Sequence, residues 1–174
     1  LLTPGLGACI IGAAHNFPNL REAASLSVAG ALFGLVIWLL LDNLAGSVAQ
    51  LTVLEMAPGL PLLFAVEPLG LVFATLASAL WIVITIYSIG YMRSRKEAHQ
   101  TRFYICFALA MASTMGVAFA GNLITLLLFY EMLTLSTYPL VVHYETEEAR
   151  RGGRIYLGIL LGTSILFLLP AAKK

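Results

Sequence analysis

Charged residues are scarce in this chain, and their scarcity excludes most classes of soluble protein. Asp, Glu, Lys and Arg make up 11% of the 174 residues, against roughly 25% in an ordinary soluble domain. Hydrophobic residues make up 60% of the chain, so a soluble fold would lack the polar side chains that must cover its core. The composition therefore predicts an all-α integral membrane protein.

Cysteine and catalytic motifs are equally sparse. The two cysteines, Cys9 and Cys106, both lie in apolar runs, where we interpret them as small hydrophobic side chains rather than a disulfide or metal pair. His15, His99 and His143 lie in or beside polar connections without ligand spacing, which predicts solvated residues rather than metal ligands. The sequence has no phosphate-binding glycine loop, no CxxC pair and no nucleophile arrangement. We expect no metal, no cofactor, no nucleic-acid partner and no enzymatic chemistry.

Long apolar runs are what the chain does contain. A membrane helix needs about 20 mainly apolar residues, and six predicted spans follow in chain order: residues 1–14, 23–41, 69–91, 103–120, 123–142 and 155–169. The first run is short, and we interpret it as a span whose start is missing, with a cleaved signal peptide as the alternative. The sixth reaches only about 22 Å across a hydrocarbon core of about 30 Å. Within the polar 42–68 connection, residues 48–56 predict a short strand or hairpin. The whole chain is predicted to be a single membrane domain.

The basic residues are distributed unevenly between the two ends of these spans. Eight of the ten Lys and Arg residues fall in connections on one side: Arg21, Arg93, Arg95, Lys96, Arg102, Arg150, Arg151 and Arg154. The other side holds Lys173 and Lys174, and its long 42–68 connection has acids but no base. By the positive-inside rule, the three basic connections are predicted to face the cytoplasm, with the N-terminus outside the inner membrane.

One carboxylate, Glu131, lies inside the fifth run, LLLFYEMLTLSTYPLVV. It is about 12 Å from one end of that span, close to mid-bilayer. An ionisable group there is costly unless it faces a partner or water, and such residues often mark ion pathways. We interpret Glu131 as a proton site. The alternative is a protonated glutamate that hydrogen-bonds a neighbouring helix and fixes packing.

Polar residues on the same helix extend this candidate site. Thr134 and Tyr138 share the helical face of Glu131. Pro139 is predicted to kink the helix and free the carbonyl of Leu135, one turn from the carboxylate. His143, just past the span, is a candidate end for a proton path.

Glycines at four-residue spacing predict helix-packing faces. Gly30 and Gly34 lie in the second run, and Gly158 and Gly162 lie in the sixth. Small residues spaced in this way let membrane helices approach closely.

Several of these elements, in this order, resemble a known family. The third span begins near Glu67 and Gly70 and ends with the residues GYM. A basic segment and the residues RFY follow it. The fifth span has a GNL start and an FYE triplet, and the sixth is entered through GGRIYL. Over roughly residues 60–170, the chain resembles the N-terminal half of the proton-conducting antiporter-like subunits. These are the D-type subunit of multisubunit Mrp Na+/H+ antiporters and the related subunits of complex I and membrane hydrogenases.

The resemblance implies a fold and a role for specific residues. Residues 1–91 would correspond to helices 1–3, and residues 103–170 to the start of the first five-helix antiporter repeat. Glu131 would be the proton-path glutamate, which in the family interacts with a lysine on a broken seventh helix. The chain ends before that helix, so we expect either a fragment of a longer protein or a truncated antiporter-like paralogue.

Two functions follow as hypotheses. The first is an antiporter-like subunit of a multisubunit energy-converting complex, related to H+ translocation or monovalent cation/H+ exchange. The first candidate ion is H+, and the second is Na+. The second is a structural accessory subunit of a larger respiratory or photosynthetic membrane complex, without transport of its own. Both imply other membrane subunits and the lipid bilayer as partners.

The predicted topology is tested by cysteine labelling of intact cells. In a chain lacking Cys9 and Cys106, we expect a membrane-impermeant maleimide to label Ser47→Cys from outside. We expect Ser94→Cys to react only after the membrane is opened, because the basic connections face inward. Preferential labelling of Ser94→Cys in intact cells would reverse the assigned orientation.

Overall fold

The computed structural model describes residues 2–46, 49–57, 60–95, 99–142 and 147–171, and it contains six helices and one hairpin. The helices are α1 (Leu2–Ala13), α2 (Pro18–Leu44), α3 (Pro68–Arg95), α4 (Gln100–Ala118), α5 (Leu123–Val141) and α6 (Glu147–Ala171). The strands are β1 (Gln50–Ala57) and β2 (Leu60–Ala65). The predicted all-α membrane fold with a short hairpin in the 42–68 connection is confirmed.

Four of the described helices, α2 to α5, are long and apolar enough to cross a membrane, whereas α1 is an apolar helix of 12 residues. Their large apolar side chains face outward as well as inward. On α3, for example, Leu69 is 82% exposed and Val83 is 62% exposed, while Trp81 is 1% exposed. Outward apolar surface of this kind is expected where lipid replaces water. The chain is a multi-pass membrane protein.

Several helices extend beyond the predicted apolar runs, and the extensions carry charge. Helix α2 begins at Pro18 rather than at residue 23, because a proline fits the first turn of a helix and Arg21 and Glu22 are buried against α3 and α4. Helix α6 begins at Glu147 rather than at residue 155. The predicted connections of residues 15–22 and 143–154 are therefore partly helical.

Helix α4 lies at the centre of the fold and contacts α1, α2, α3 and α5. The core around it contains the fully buried side chains Ile11, Leu71, Trp81 and Met115. Two glycines bring neighbouring helices unusually close. A Cβ at Gly70 would overlap the carbonyl of Ala118, and one at Gly116 would overlap the ring of Phe129. The α3–α4 and α4–α5 contacts therefore depend on the absence of a side chain at these positions.

The hairpin is fastened to the helices by the turn between α4 and α5. The amide of Gly121 donates to the carbonyl of Leu63 at 2.8 Å, and the amide of Leu63 donates to Thr125 Oγ1 at 3.0 Å. Asn122 Nδ2 donates to the carbonyl of Pro61 at 2.7 Å, while Asn122 Oδ1 caps α5 by accepting from the amide of Thr125. The start of α5 is thus held at one end of the fold, which places Glu131 eight residues along a fixed helix.

Candidate proton site

Glu131 is the ninth residue of the 19-residue helix α5 and is partly buried. Helix α5 contacts α4, α6 and β2. At 1.5 Å per residue, Glu131 lies about 12 Å from the start of α5. The carboxylate is therefore far from both ends of the helix, as its sequence position predicted.

A single side chain from α6 meets the carboxylate. Ser164 is 5% exposed, and its hydroxyl donates a short hydrogen bond to Glu131 Oε1. The same Ser164 Oγ lies 2.9 Å from the carbonyl oxygen of Leu160, one turn earlier in α6. A serine hydroxyl has one proton and two lone pairs. Ser164 can therefore donate to Glu131 or to its own helix, but not to both at once.

The second carboxylate oxygen has a different environment. Glu131 Oε2 is buried and has no hydrogen-bond partner among the residues that the structure describes. A buried acceptor without a donor costs roughly 1–3 kcal/mol, and more when it is charged. A proton on Oε2, or a donor from a neighbouring group, would remove this cost. Among the described residues, the two oxygens of the carboxylate therefore have unequal surroundings.

The other predicted residues of α5 lie near Glu131 in the helix, but within the described part of the chain none is hydrogen-bonded to it. Thr134 is 4% exposed, and its hydroxyl donates to the carbonyl of Tyr130 at 3.1 Å. Tyr138 is half-buried, and Pro139 lies inside the helix as expected. His143 lies outside the described residues.

The predicted packing glycines face away from the rest of the chain. A Cβ built at Gly30, Gly34, Gly158 or Gly162 would meet no atom within 4 Å among the described residues. Their role in helix packing therefore stays a prediction. Gly153 is the glycine at which α6 packs closely: a Cβ there would lie 2.5 Å from Val142 Cγ2 and 3.0 Å from Tyr138 Cε2.

Sequence reasoning missed a buried ionic cluster where the start of α2 meets the end of α3 and the start of α4, which we call the Glu22 cluster. Glu22 is 5% exposed and accepts from Arg93 Nε at 3.1 Å and from Arg93 Nη2 at 2.5 Å. Asn19 Oδ1 also accepts from Arg93 Nη2, and Arg21 Nη2 lies 4.0 Å from Glu22 Oε1. This arrangement ties the start of α2 to the end of α3.

Arg21 extends the Glu22 cluster to α4. Its guanidinium donates to Thr101 Oγ1 at 3.0 Å and to Gln100 Oε1 at 2.7 Å, and it stacks 5.4 Å from the centre of the Tyr104 ring. The sequence signal was the Arg21–Glu22 pair directly before an apolar run. We interpreted that pair as part of a connection because nothing in the sequence shows that α3 supplies Arg93 as the partner.

Comparisons with known proteins agree with the fold and with the resemblance. The chain is 31% identical over 112 residues to the Na+/H+ antiporter subunit A1 of Staphylococcus aureus strain bovine RF122 / ET3-1, covering 60% of this chain and 14% of the relative. The subunit A1 of strain JH9 gives the same identity and coverage. The chain thus spans 14% of the length of these relatives. No protein-family profile matches.

A solved structure matches almost the whole chain. It belongs to the membrane-bound sulfane sulfur reductase, an archaeal respiratory membrane complex. The superposition has a TM-score of 0.80 at 16% identity and covers 97% of this chain and 34% of the matched chain. The likeness establishes that this chain shares the fold of part of that membrane chain. The named antiporter relatives are A-type subunits, so the D-type assignment remains a prediction.

The Glu22 cluster makes a stability prediction. Arg93→Gln removes the bidentate partner of Glu22 and leaves a buried carboxylate beside one guanidinium, which is unfavourable. We expect the apparent unfolding temperature in detergent to fall by on the order of 5 °C. Arg95→Gln, two residues further along α3 and exposed, is the matched control and should change it little. Equal shifts for the two variants would show that the Glu22 cluster does not hold the helices together.

Proposed function

We propose that this chain, a homologue of the antiporter-like subunits, is a membrane subunit of a multisubunit energy-converting complex. In this proposal its α5 carboxylate takes part in H+ translocation or in monovalent cation/H+ exchange. The observation that carries the proposal is Glu131: a carboxylate in the middle of an apolar helix, bonded to one buried hydroxyl and with one oxygen unpartnered among the described residues. Intramembrane carboxylates in such surroundings are typical of proton relays.

The Ser164 hydroxyl allows Glu131 to exist in two protonation states. When Glu131 is ionised, the Ser164 hydroxyl donates to Oε1 and supplies a charge-assisted hydrogen bond. When a proton binds Oε2, the carboxyl group needs this donor less, and the Ser164 hydroxyl can turn to the Leu160 carbonyl at 2.9 Å. Rotation of the Ser164 hydroxyl thus replaces its hydrogen bond to Glu131 by one to the Leu160 carbonyl. Neither protonation state of Glu131 then leaves the hydroxyl without an acceptor.

Thr134 and Tyr138 are the proposed steps between Glu131 and the arginine-bearing end of the helices. Tyr138 lies two helical turns, about 10 Å, from Glu131, so a proton moving between them needs an intermediate group or water. Pro139 supports this role because it removes the helical donor of the Leu135 carbonyl. We place this end in the cytoplasm on the positive-inside rule, and the chain in the inner membrane.

Other membrane subunits are the proposed partners of this chain. Gly158 and Gly162 lie on a stretch of α6 without a close neighbour in the described part of the chain. Gly30 and Gly34 on α2 also have no close neighbour there. Small-residue faces of this kind favour association with further helices. We propose no enzymatic chemistry and no resident cofactor for the chain itself.

Transport by the assembled complex tests the role of Glu131. With Glu131→Gln, we expect Na+-dependent H+ movement in membrane vesicles to fall by about 100-fold or more, because the carrier group is gone. The complex should still assemble, since glutamine can accept the Ser164 hydrogen bond. Ser164→Ala removes the donor to the charged form and should reduce transport, but by less than Glu131→Gln does, because the carboxyl group is kept.

Glu55→Gln is the control, because Glu55 is exposed in β1, far along the chain from the membrane site. It should transport and assemble as the unchanged protein does. Normal transport by an assembled Glu131→Gln complex would contradict the proposal and would favour an accessory role without transport.

A further inference from the structure

A second polar site lies where α4, α5 and α6 meet at the arginine-bearing end of the helices. A cavity of about 250 Å³ is lined by Arg102, Tyr138, Pro139, Val142 and Arg150. Arg102 lies in the first turn of α4, Arg150 in the first turn of α6, and the other three at the end of α5. We call this cavity the arginine cavity.

The packing of α6 against α5 forms the arginine cavity. Gly153 is buried, and a side chain there would overlap Val142 and press on Tyr138. Because Gly153 has no side chain, the first turns of α6 approach the last turn of α5, and Arg150 lies one turn before Gly153 in the helix. The close packing of α6 on α5 therefore places Arg150 at the cavity that Arg102 also lines.

The electrostatics of the arginine cavity favour an anion. Two guanidinium groups and the phenol of Tyr138 line it, and none of the five described lining residues is acidic. The N-termini of α4 and α6 add positive partial charge at the same place. Among the residues that the structure describes, Arg150 makes no ion pair with a carboxylate, and Glu147 and Glu148 on the same turn are exposed. Two positive charges that line one cavity attract an anion to it.

We propose that the arginine cavity binds the phosphate group of an anionic phospholipid. A guanidinium presents a planar fork of N–H donors that matches phosphate oxygens, and two such forks from different helices define one position. The Tyr138 hydroxyl supplies a further donor. The cavity lies at the ends of membrane helices, the level of the lipid headgroups, where basic pockets between helices bind such lipids. This inference does not depend on whether Glu131 carries a proton.

Lipid binding by the full chain, in the assembly with which it purifies, tests the proposal. Native mass spectrometry would follow the binding of phosphatidylglycerol and of zwitterionic phosphatidylcholine from mixed micelles. We expect preference for phosphatidylglycerol, and we expect Arg102→Gln and Arg150→Gln each to weaken its binding by about fivefold. Arg102→Lys and Arg150→Lys keep the charge and should lose less, which separates lost binding from lost folding.

Arg151→Gln is the matched control, because Arg151 is adjacent to Arg150 on α6 and does not line the cavity. It should leave the binding of phosphatidylglycerol unchanged within about twofold. An equal loss for Arg151→Gln would overturn the proposal in favour of general surface attraction. Equal binding of both lipids would also overturn it. Displacement of phosphatidylglycerol by millimolar inorganic phosphate would show that free phosphate, rather than lipid, is the ligand.

Discussion

The hydrogen bond between Ser164 and Glu131 is the interaction on which the functional account depends. It joins α6 to α5 within two mainly apolar helices, and among the described residues it gives the carboxylate its one hydrogen-bond donor. A buried acid without a donor would be strongly unfavourable in lipid. A carboxylate whose lone pairs all accept hydrogen bonds would have no oxygen open to a proton. Among the described residues, Glu131 has one oxygen with a donor, Oε1, and one without, Oε2.

The rest of the fold fixes where this pair lies. Gly116 brings α5 against α4, Gly153 brings α6 against α5, and the Asn122 cap holds the start of α5 against the hairpin. These contacts determine the positions of Glu131 and the arginine cavity at different depths on the same helix. Relatives of the chain are named as antiporter subunits, and the matched fold occurs in a respiratory membrane complex.

The sequence predicted the number of helices, the hairpin and the depth of Glu131, because apolar length and the position of a charge within it depend only on local order. It did not predict Ser164, the Glu22 cluster or the arginine cavity. Ser164 and Glu131 are separated by 33 residues, and Glu22 and Arg93 by 71. Such pairs depend on which faces of two helices pack together. A single sequence does not specify that packing. The close contacts at Gly70, Gly116 and Gly153 follow the same rule, since these glycines do not have the four-residue spacing that predicts a packing face.

Infrared difference spectroscopy across a pH titration tests the central claim most directly, because it observes the carboxyl group itself. The account predicts a carboxylic-acid carbonyl band that appears as the pH falls and is absent in Glu131→Gln. It also predicts that the carboxylate bands, which report the ionised form, shift in Ser164→Ala because that form loses its hydrogen-bond donor. A carbonyl band that persists unchanged in Glu131→Gln, or carboxylate bands that are the same with and without the Ser164 hydroxyl, would contradict the account.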